Sequence, residues 1–195
     1  MQPIILASTS PRRQEILKEL GIPFTVVTPQ YEELPVDGMN AAQLAEYHAM
    51  KKVESVIRTN MNITASWVLG ADTLIHINSS IFGKPSSRDE AKEMLMYLSG
   101  NTHEVITALC LFDAGTQYIS TKTSISRVTM IDLDEAQVEK YLDSGEWQGA
   151  AGSYKIQGLA SCFISSISGS FSGIVGLPIH ELYVTLREHG YDFVV

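Results

Sequence analysis

The chain predicts an α/β fold, a long curved mixed β-sheet with helices packed on it and two lobes around a cleft, with residues 1–195 forming a single domain. Three observations carry this. Apolar strand-like runs and amphipathic helical patterns are mixed from one end to the other, as in layered α/β packing. Two β-rich runs, 103–112 and 117–130, are joined only by the turn-forming DAGT, which predicts one long hairpin. No Pro/Gly/Ser linker or internal repeat divides the chain, and 195 residues at 45% hydrophobic content suffice for a sizeable core.

Residues 4–7 read as a fully buried strand. Ser10 suits an N-cap, Pro11 the first helical position and Gly21 a stop, so a short helix is expected over 11–20. A second strand is expected at 24–28. After a polar stretch with Pro29, Pro35 and Gly38, a longer helix opens near Asn40, with Leu44, Ala49, Val53, Val56 and Ile57 recurring on one face. The run 67-WVLGADTLIHI-77 is a strand with a carboxylate in its middle, and after a turn at 78–80 the segment 81-IFGKP-85 returns beside it. Ser87 and Glu90 form a capping box for a helix to Leu98, which Ser99 and Gly100 end. Beyond the hairpin, Asp132 and Glu135 suggest another capping box, for a helix that Gly145 stops. Residues 146–176, rich in Gly and Ser with short strands, have the character of a segment that wraps a site. Leu177 and Pro178 begin a last helix, with Ile179, Leu182 and Leu186 inward and Gly190 at its end.

The formal net charge of −8 argues against a nucleic-acid partner, because gripping a polynucleotide backbone needs a basic face. Any anion site is then a local basic pocket. Cys110 and Cys162 lie in separate apolar strand-like runs and read as buried reduced thiols. No stretch approaches the ~20 apolar residues that span a bilayer. The opening MQPIILASTS lacks the basic region and long apolar run of a signal peptide. No membrane partner and a cytoplasmic location are the expectation.

Two arginines in the first turn of a helix oppose the helix dipole, which favours acidic residues there. In 8-STSPRR-13 the arrangement is either a plain N-cap followed by solvated arginines or an anion cradle of free N–H groups, hydroxyls (Ser8, Thr9, Ser10) and forked cations (Arg12, Arg13). It is not a P-loop, lacking the glycines and the Lys-Ser/Thr pair. In 70-GADT-73, Asp72 lies within an apolar strand, where a carboxylate must be paired, hydrogen-bonded or metal-bound. Gly70 admits close approach of another group, and Thr73 adds a hydroxyl. The hairpin return places Lys84 of 83-GKP-85 within reach of Asp72, against the alternative of a solvated turn lysine. Gln157 in 152-GSYKIQG-158 is either a base-edge reader or a backbone partner. The five histidines show no zinc spacing, and 169-GSFSG-173 has Phe171 where a nucleophile elbow needs serine. Anion cradle, buried acid and few soft ligands together suit a polyphosphate substrate carrying its own Mg²⁺.

These motifs resemble, almost end to end, the Maf family of nucleoside triphosphate pyrophosphatases, also described as septum-formation inhibitors. The resemblance rests on 6-LASTSPRR-13, 29-PQYEE-33, an A-x-x-K pattern at Ala49 to Lys52, 70-GADT-73, 83-GKP-85, 98-LSGNTHEV-105, 145-GEWQGAAGSYKIQG-158 and 175-VGLP-178. It implies hydrolysis of a nucleoside triphosphate to monophosphate and pyrophosphate with a divalent cation, Mg²⁺ or Mn²⁺. It makes Asp72 the proton acceptor for the attacking water. Lys52 and Lys84, with Ser8 and Arg12, would hold and neutralise the triphosphate. Arg13, Thr73 and Gln157 fall where the family sets base specificity, and Glu33 is a metal or water partner beside Asp72. The GADT and IQG versions are similar to the branch acting on dTTP and UTP; the branch acting on 7-methyl-GTP has G-S-D-Q at the first place. A homodimer is a further implication.

The chain departs from the family pattern at Gly149 and Ala150, where Asp-Lys is common, at Trp147, where Pro is common, and at Phe171 and Gly173. Two other readings stay open: a nucleotide-sensing regulator of cell division with negligible turnover, and a pyrophosphatase for modified purine nucleotides.

Overall fold

The computed structural model describes residues 1–59 and 66–193. Strand β1 (Ile4–Leu6) lies between β2 (Phe24–Val26) and β3 (Trp67–Ile77) and is parallel to both. All other pairings are antiparallel: β4 (Ser80–Phe82) and β5 (Thr102–Asp113) on β3, β6 (Tyr118–Met130) on β5, and β7 (Ile164–Ser168) on β6. The sheet order is β2-β1-β3-β5-β6-β7, with β4 beside β3 off this path. The helices are α1 (Pro11–Glu19), α2 (Ala41–Thr59), α3 (Arg88–Leu98), α4 (Glu135–Asp143), α5 (Phe171–Val175) and α6 (Ile179–Glu188). The fold class is the one the sequence predicts.

The long strands β3, β5 and β6 run through two halves, each with its own packing. At one end, α2 lays Ala45, Ala49, Val53 and Val56 on Val68, Leu74, Ala108 and Cys110. On the opposite face of the same half, Ile16 and Leu17 of α1 and Leu182 and Leu186 of α6 cover Leu69, Ala71, Leu109 and Leu111. At the other end, α3 and α4 pack Leu95, Leu98, Val138 and Leu142 against Ile75, Ile77, Val105 and Val128.

Between the halves one sheet edge is open. β1 pairs with β3 only as far as Leu69, and β4 begins pairing at Ile75. Among the described residues, 70–74 therefore have no strand neighbour on that side.

Several boundaries differ from the sequence expectation. The strand expected at 24–28 stops at Val26, because its partner β1 ends at Leu6, whose carbonyl takes the last bond, from Val27 N–H at 3.0 Å. Ile57 is only half-buried, whereas Leu44, Ala49, Val53 and Val56 are inside. The cap of α4 is Asp134 with Gln137, not Asp132 with Glu135: Asp134 N–H donates to Gln137 Oε1 at 2.9 Å and Gln137 N–H to Asp134 Oδ1 at 2.8 Å. Residues 131–133 are still tied to neighbouring loops, Ile131 N–H to Phe163 O and Leu133 N–H to Ser99 Oγ, so the helix cannot open there. Ser87 accepts from Glu90 N–H as predicted, but the Glu90 carboxylate turns to Ser86 N–H and Oγ. Ser10 holds the N-cap position of α1 without a side-chain cap bond. Cys110 is buried as expected; Cys162 is exposed, in a 3-10 segment (Leu159–Phe163) rather than a strand, and both thiols are free. No described helix is long and apolar enough to cross a membrane.

Candidate active site

A cavity of about 570 Å³ opens beside the unpaired edge of β3. All nine residues singled out from the sequence line it: Ser8, Arg12, Arg13, Glu33, Lys52, Asp72, Thr73, Lys84 and Gln157. The reason is geometric. Asp72 and Thr73 are adjacent on a strand and point to opposite faces, Asp72 with Val68 and Leu74 toward α2, Thr73 with Leu69 and Ala71 toward α1. Because no neighbouring strand closes that edge, both faces meet in one opening.

On the α2 side, Gly70 makes the approach possible. A Cβ there would lie 2.7 Å from Ala49 O and from Val53 Cγ2. The helix settles onto the strand at that point and brings Lys52 over Asp72. Lys52 Nζ donates to Asp72 Oδ1 at 2.5 Å and to Ala71 O at 3.3 Å, and pairs with Glu33 Oε1 at 2.6 Å. Its three protons are directed at protein acceptors. Lys84 Nζ lies 3.6 Å from Glu33 Oε1 and its side chain is 52% exposed, so it retains donors for the cavity. Burial works to raise the Glu33 pKa, but Lys52, Lys84 and Arg13 outweigh it and hold the carboxyl down to about 2. Asp72 is buried, and its Oδ2 has no hydrogen-bond partner among the described residues.

The segment carrying Glu33 is clamped by the same helix face. Tyr31 Oη contacts His48 Nδ1 at 2.7 Å, and Gln30 N–H donates to Ser55 Oγ at 2.7 Å. His48, Lys52 and Ser55 follow helical spacing, so one stripe of α2 grips both the segment and the acid.

On the α1 side, both arginines line the cavity while their hydrogen bonds go to protein. Arg12 donates to Val175 O at 3.3 Å and Gly149 O at 3.1 Å. Arg13, 7% exposed, donates to Gly176 O at 2.7 Å, Ser8 Oγ at 3.1 Å and Thr73 Oγ1 at 3.1 Å. Burial draws its pKa below the ordinary value, against the pull of Asp72 and Glu33. The forks thus tie the helix start to the late loops and still leave positive charge at the cavity wall. Ser8 Oγ also accepts from Ser10 N–H at 3.2 Å, so its two acceptor sites are filled and its own proton is what it can offer an anion.

The far wall comes from residues 148–157. Gln157 is exposed there and makes no side-chain hydrogen bond among the described residues. Its loop is positioned by Glu146, which accepts from Leu159 N–H at 2.8 Å and crosses so close to Gly158 that a Cβ there would meet Glu146 Oε2 at 2.2 Å. Tyr154, also in the wall, bonds His103 Nε2 at 2.7 Å, and burial lowers the His103 pKa to about 4. Glu146, His48, Ser55 and Thr107 went unmarked in the sequence; only Glu146 lay within a recognised motif.

Of the departures from the family pattern, Gly149 supplies the carbonyl that Arg12 grips. At Gly173 a Cβ would lie 3.1 Å from Ser124 Oγ, so a larger residue would crowd β6. Phe171 is exposed.

No group of three or more His, Cys, Asp or Glu side chains able to hold a metal occurs among the described residues. Around Lys52 stand two carboxylates, Asp72 and Glu33, the first with an unpartnered buried oxygen. That is the hard, incomplete donor set a Mg²⁺ or Mn²⁺ takes when substrate phosphates complete its shell.

A family model described as Maf-like protein matches residues 3–189. The dTTP/UTP pyrophosphatase of Desulforamulus reducens is 42% identical, covering 100% of both chains. That of Treponema denticola is 40% identical over 96% of this chain and 97% of its own, and that of Symbiobacterium thermophilum 39% over 98% and 96%.

Proposed function

The chain belongs to the Maf-like protein family, and from that premise we propose that it hydrolyses dTTP and UTP to the nucleoside monophosphate and pyrophosphate. The observation that carries the mechanism is the buried Asp72 Oδ2, an acceptor with no donor among the described residues, in a cavity that Arg12, Arg13, Lys52 and Lys84 also line. A water placed against it attacks the α-phosphorus. Asp72 takes the water's proton as the new P–O bond forms. The bond from the α-phosphorus to the bridging oxygen breaks, and its electron pair leaves with pyrophosphate. Phosphoryl chemistry of this kind asks mainly for positioning and charge. Lys84, Arg12 and the Ser8 hydroxyl supply both along the phosphate tail, while Lys52 orients Asp72 and Glu33 rather than spending its protons on substrate. Asp72 and Glu33 would hold a Mg²⁺ or Mn²⁺, which supplies charge neutralisation and a more acidic water. Arg13, Thr73 and Gln157 would face the base.

The test is pyrophosphate release from dTTP and UTP with Mg²⁺ or Mn²⁺, with Asp72→Asn as control. Loss of the base should lower kcat by about 10²–10⁴ with little change in KM. Pyrophosphate release no higher than the control would leave the cleft as a nucleotide sensor without turnover. A preference for inosine or 7-methylguanosine triphosphate would reject the pyrimidine reading.

A further inference from the structure

We propose that Lys155 is a further binding residue for the phosphate tail of the nucleotide, the cavity cation whose donors meet no partner among the described residues. The inference rests on the nucleotide reading above and adds to it a residue that the motifs do not single out.

The argument is a charge count. Among the described residues, five cations line the cavity, Arg12, Arg13, Lys52, Lys84 and Lys155, against three carboxylates, Glu15, Glu33 and Asp72. Four of the five are engaged with the protein. Lys52 is committed to Asp72, Glu33 and Ala71 O, and Arg13 to Gly176 O, Ser8 and Thr73. Arg12 grips Val175 O and Gly149 O and feels the charge of Glu15, and Lys84 keeps Glu33 at 3.6 Å. Lys155 is half-buried, and its ammonium has no hydrogen bond or ion pair among the described residues. The three carboxylates offset only three of the five charges. A half-buried cation beside like charges is unfavourable until an anion joins it.

The loop that carries Lys155 is tied to both cations assigned to the tail. Arg12 Nη2 holds Gly149 O at 3.1 Å, and Gly152 N–H donates to Gly83 O at 3.0 Å, next to Lys84. Lys155 N–H reaches Tyr141 Oη at 3.4 Å, and that ring lies close enough to Arg12 for the two to interact electrostatically. Along the chain Lys155 falls between these ties and Gln157, the residue assigned to the base. A flexible ammonium with three open donors suits a polyphosphate. It can follow the oxygens as the bond to the α-phosphorus breaks and charge gathers on pyrophosphate.

The experiment compares wild type, Lys155→Met and Lys155→Arg, with Lys122→Met as control, a lysine paired with Glu188 outside the cavity. It reads pyrophosphate binding by calorimetry with Mg²⁺, KM for UTP and dTTP, and the melting temperature. Lys155→Met should bind pyrophosphate about tenfold more weakly and raise KM by a similar factor, while Lys155→Arg stays near wild type. The melting temperature should not move, because no protein contact is lost. A methionine variant that binds pyrophosphate as wild type does, or a wild type that binds none, overturns the proposal. So does an equal loss in Lys122→Met, which would make the effect one of net charge. A wild type that binds pyrophosphate but releases none from UTP or dTTP rejects the proposed activity instead, and the pyrophosphate binding ratio then decides the role of Lys155.

Discussion

Lys52 directs its three protons at three protein acceptors, and its removal shows what it does. In Lys52→Met two carboxylates are left facing each other without their shared cation. Breaking a buried pair of this kind costs about 3–5 kcal/mol, and the Glu33 pKa should climb from about 2 as its main opposing charge is lost. The expected outcome is a lower melting temperature and an acid limb of kcat/KM that moves to higher pH; an unmoved limb would mean that Glu33 does not depend on Lys52. In the wild-type protein the sign is the usual one for a depressed carboxyl. The stabilisation is present above the ordinary value of 4.5 and is lost as pH falls toward 2. Asp72 and Lys84 were legible as residues because a charge in an apolar strand, or after a tight return, stands out. Thr107 was not. A β-branched residue inside 105-VITALCLF-112 looks like any other strand former, and only its two oxygen neighbours mark it.

Elements carry these residues to one another, and Gly70 is the narrowest passage. Gly70→Ala places a methyl 2.7 Å from Ala49 O and Val53 Cγ2, so α2 must shift. Overpacking of this sort costs about 1–3 kcal/mol, and because Lys52 rides on α2, the kcat should fall by more than the stability loss accounts for. Thermal unfolding and steady-state kinetics on the same preparation check this; full activity would show that α2 has slack. At the remote end of the hairpin, His189 Nε2 meets Ser120 Oγ at 2.8 Å, and its Nδ1 is 3.7 Å from Asp113 Oδ2. Both Asp113 oxygens already accept from the turn, from Gly115 N–H and Thr116 Oγ1. The cluster is thus a tie between α6 and the hairpin, not a nucleophile relay. Element types followed from periodicity almost throughout. Boundaries failed where a loop bond outcompeted a local signal, as at Asp132, whose neighbours are held extended by Ser99 and Phe163.

At the scale of the whole molecule, stability is linked to pH through a histidine deep in the half that carries α3 and α4. His103 is 1% exposed, and burial holds its pKa at about 4 against an ordinary 6.5. Between those values the unfolded chain binds a proton that the folded chain refuses, so stability falls as pH drops through that window. The full loss is about 3 kcal/mol. Denaturant titrations from pH 7 to 4 should show this slope, and His103→Gln should flatten it by close to one proton; an equal slope in both would place the linkage elsewhere. The net charge of −8 also frames the cleft, whose cations form a local exception on an acidic protein. The amino-acid sequence by itself determined the fold class, the order of the elements and the chemical types of the site, because periodicity and misplaced charge are local properties of a chain. Tertiary structure alone decided how they combine. Asp72 and Thr73 point to opposite faces of one strand, and they share a cavity only because β1 ends at Leu6 and β4 starts late, leaving the edge between them open. Thr107 likewise meets Thr73 Oγ1 and Gly173 O only through partners 34 and 66 residues away in sequence, a distance at which no local pattern carries information.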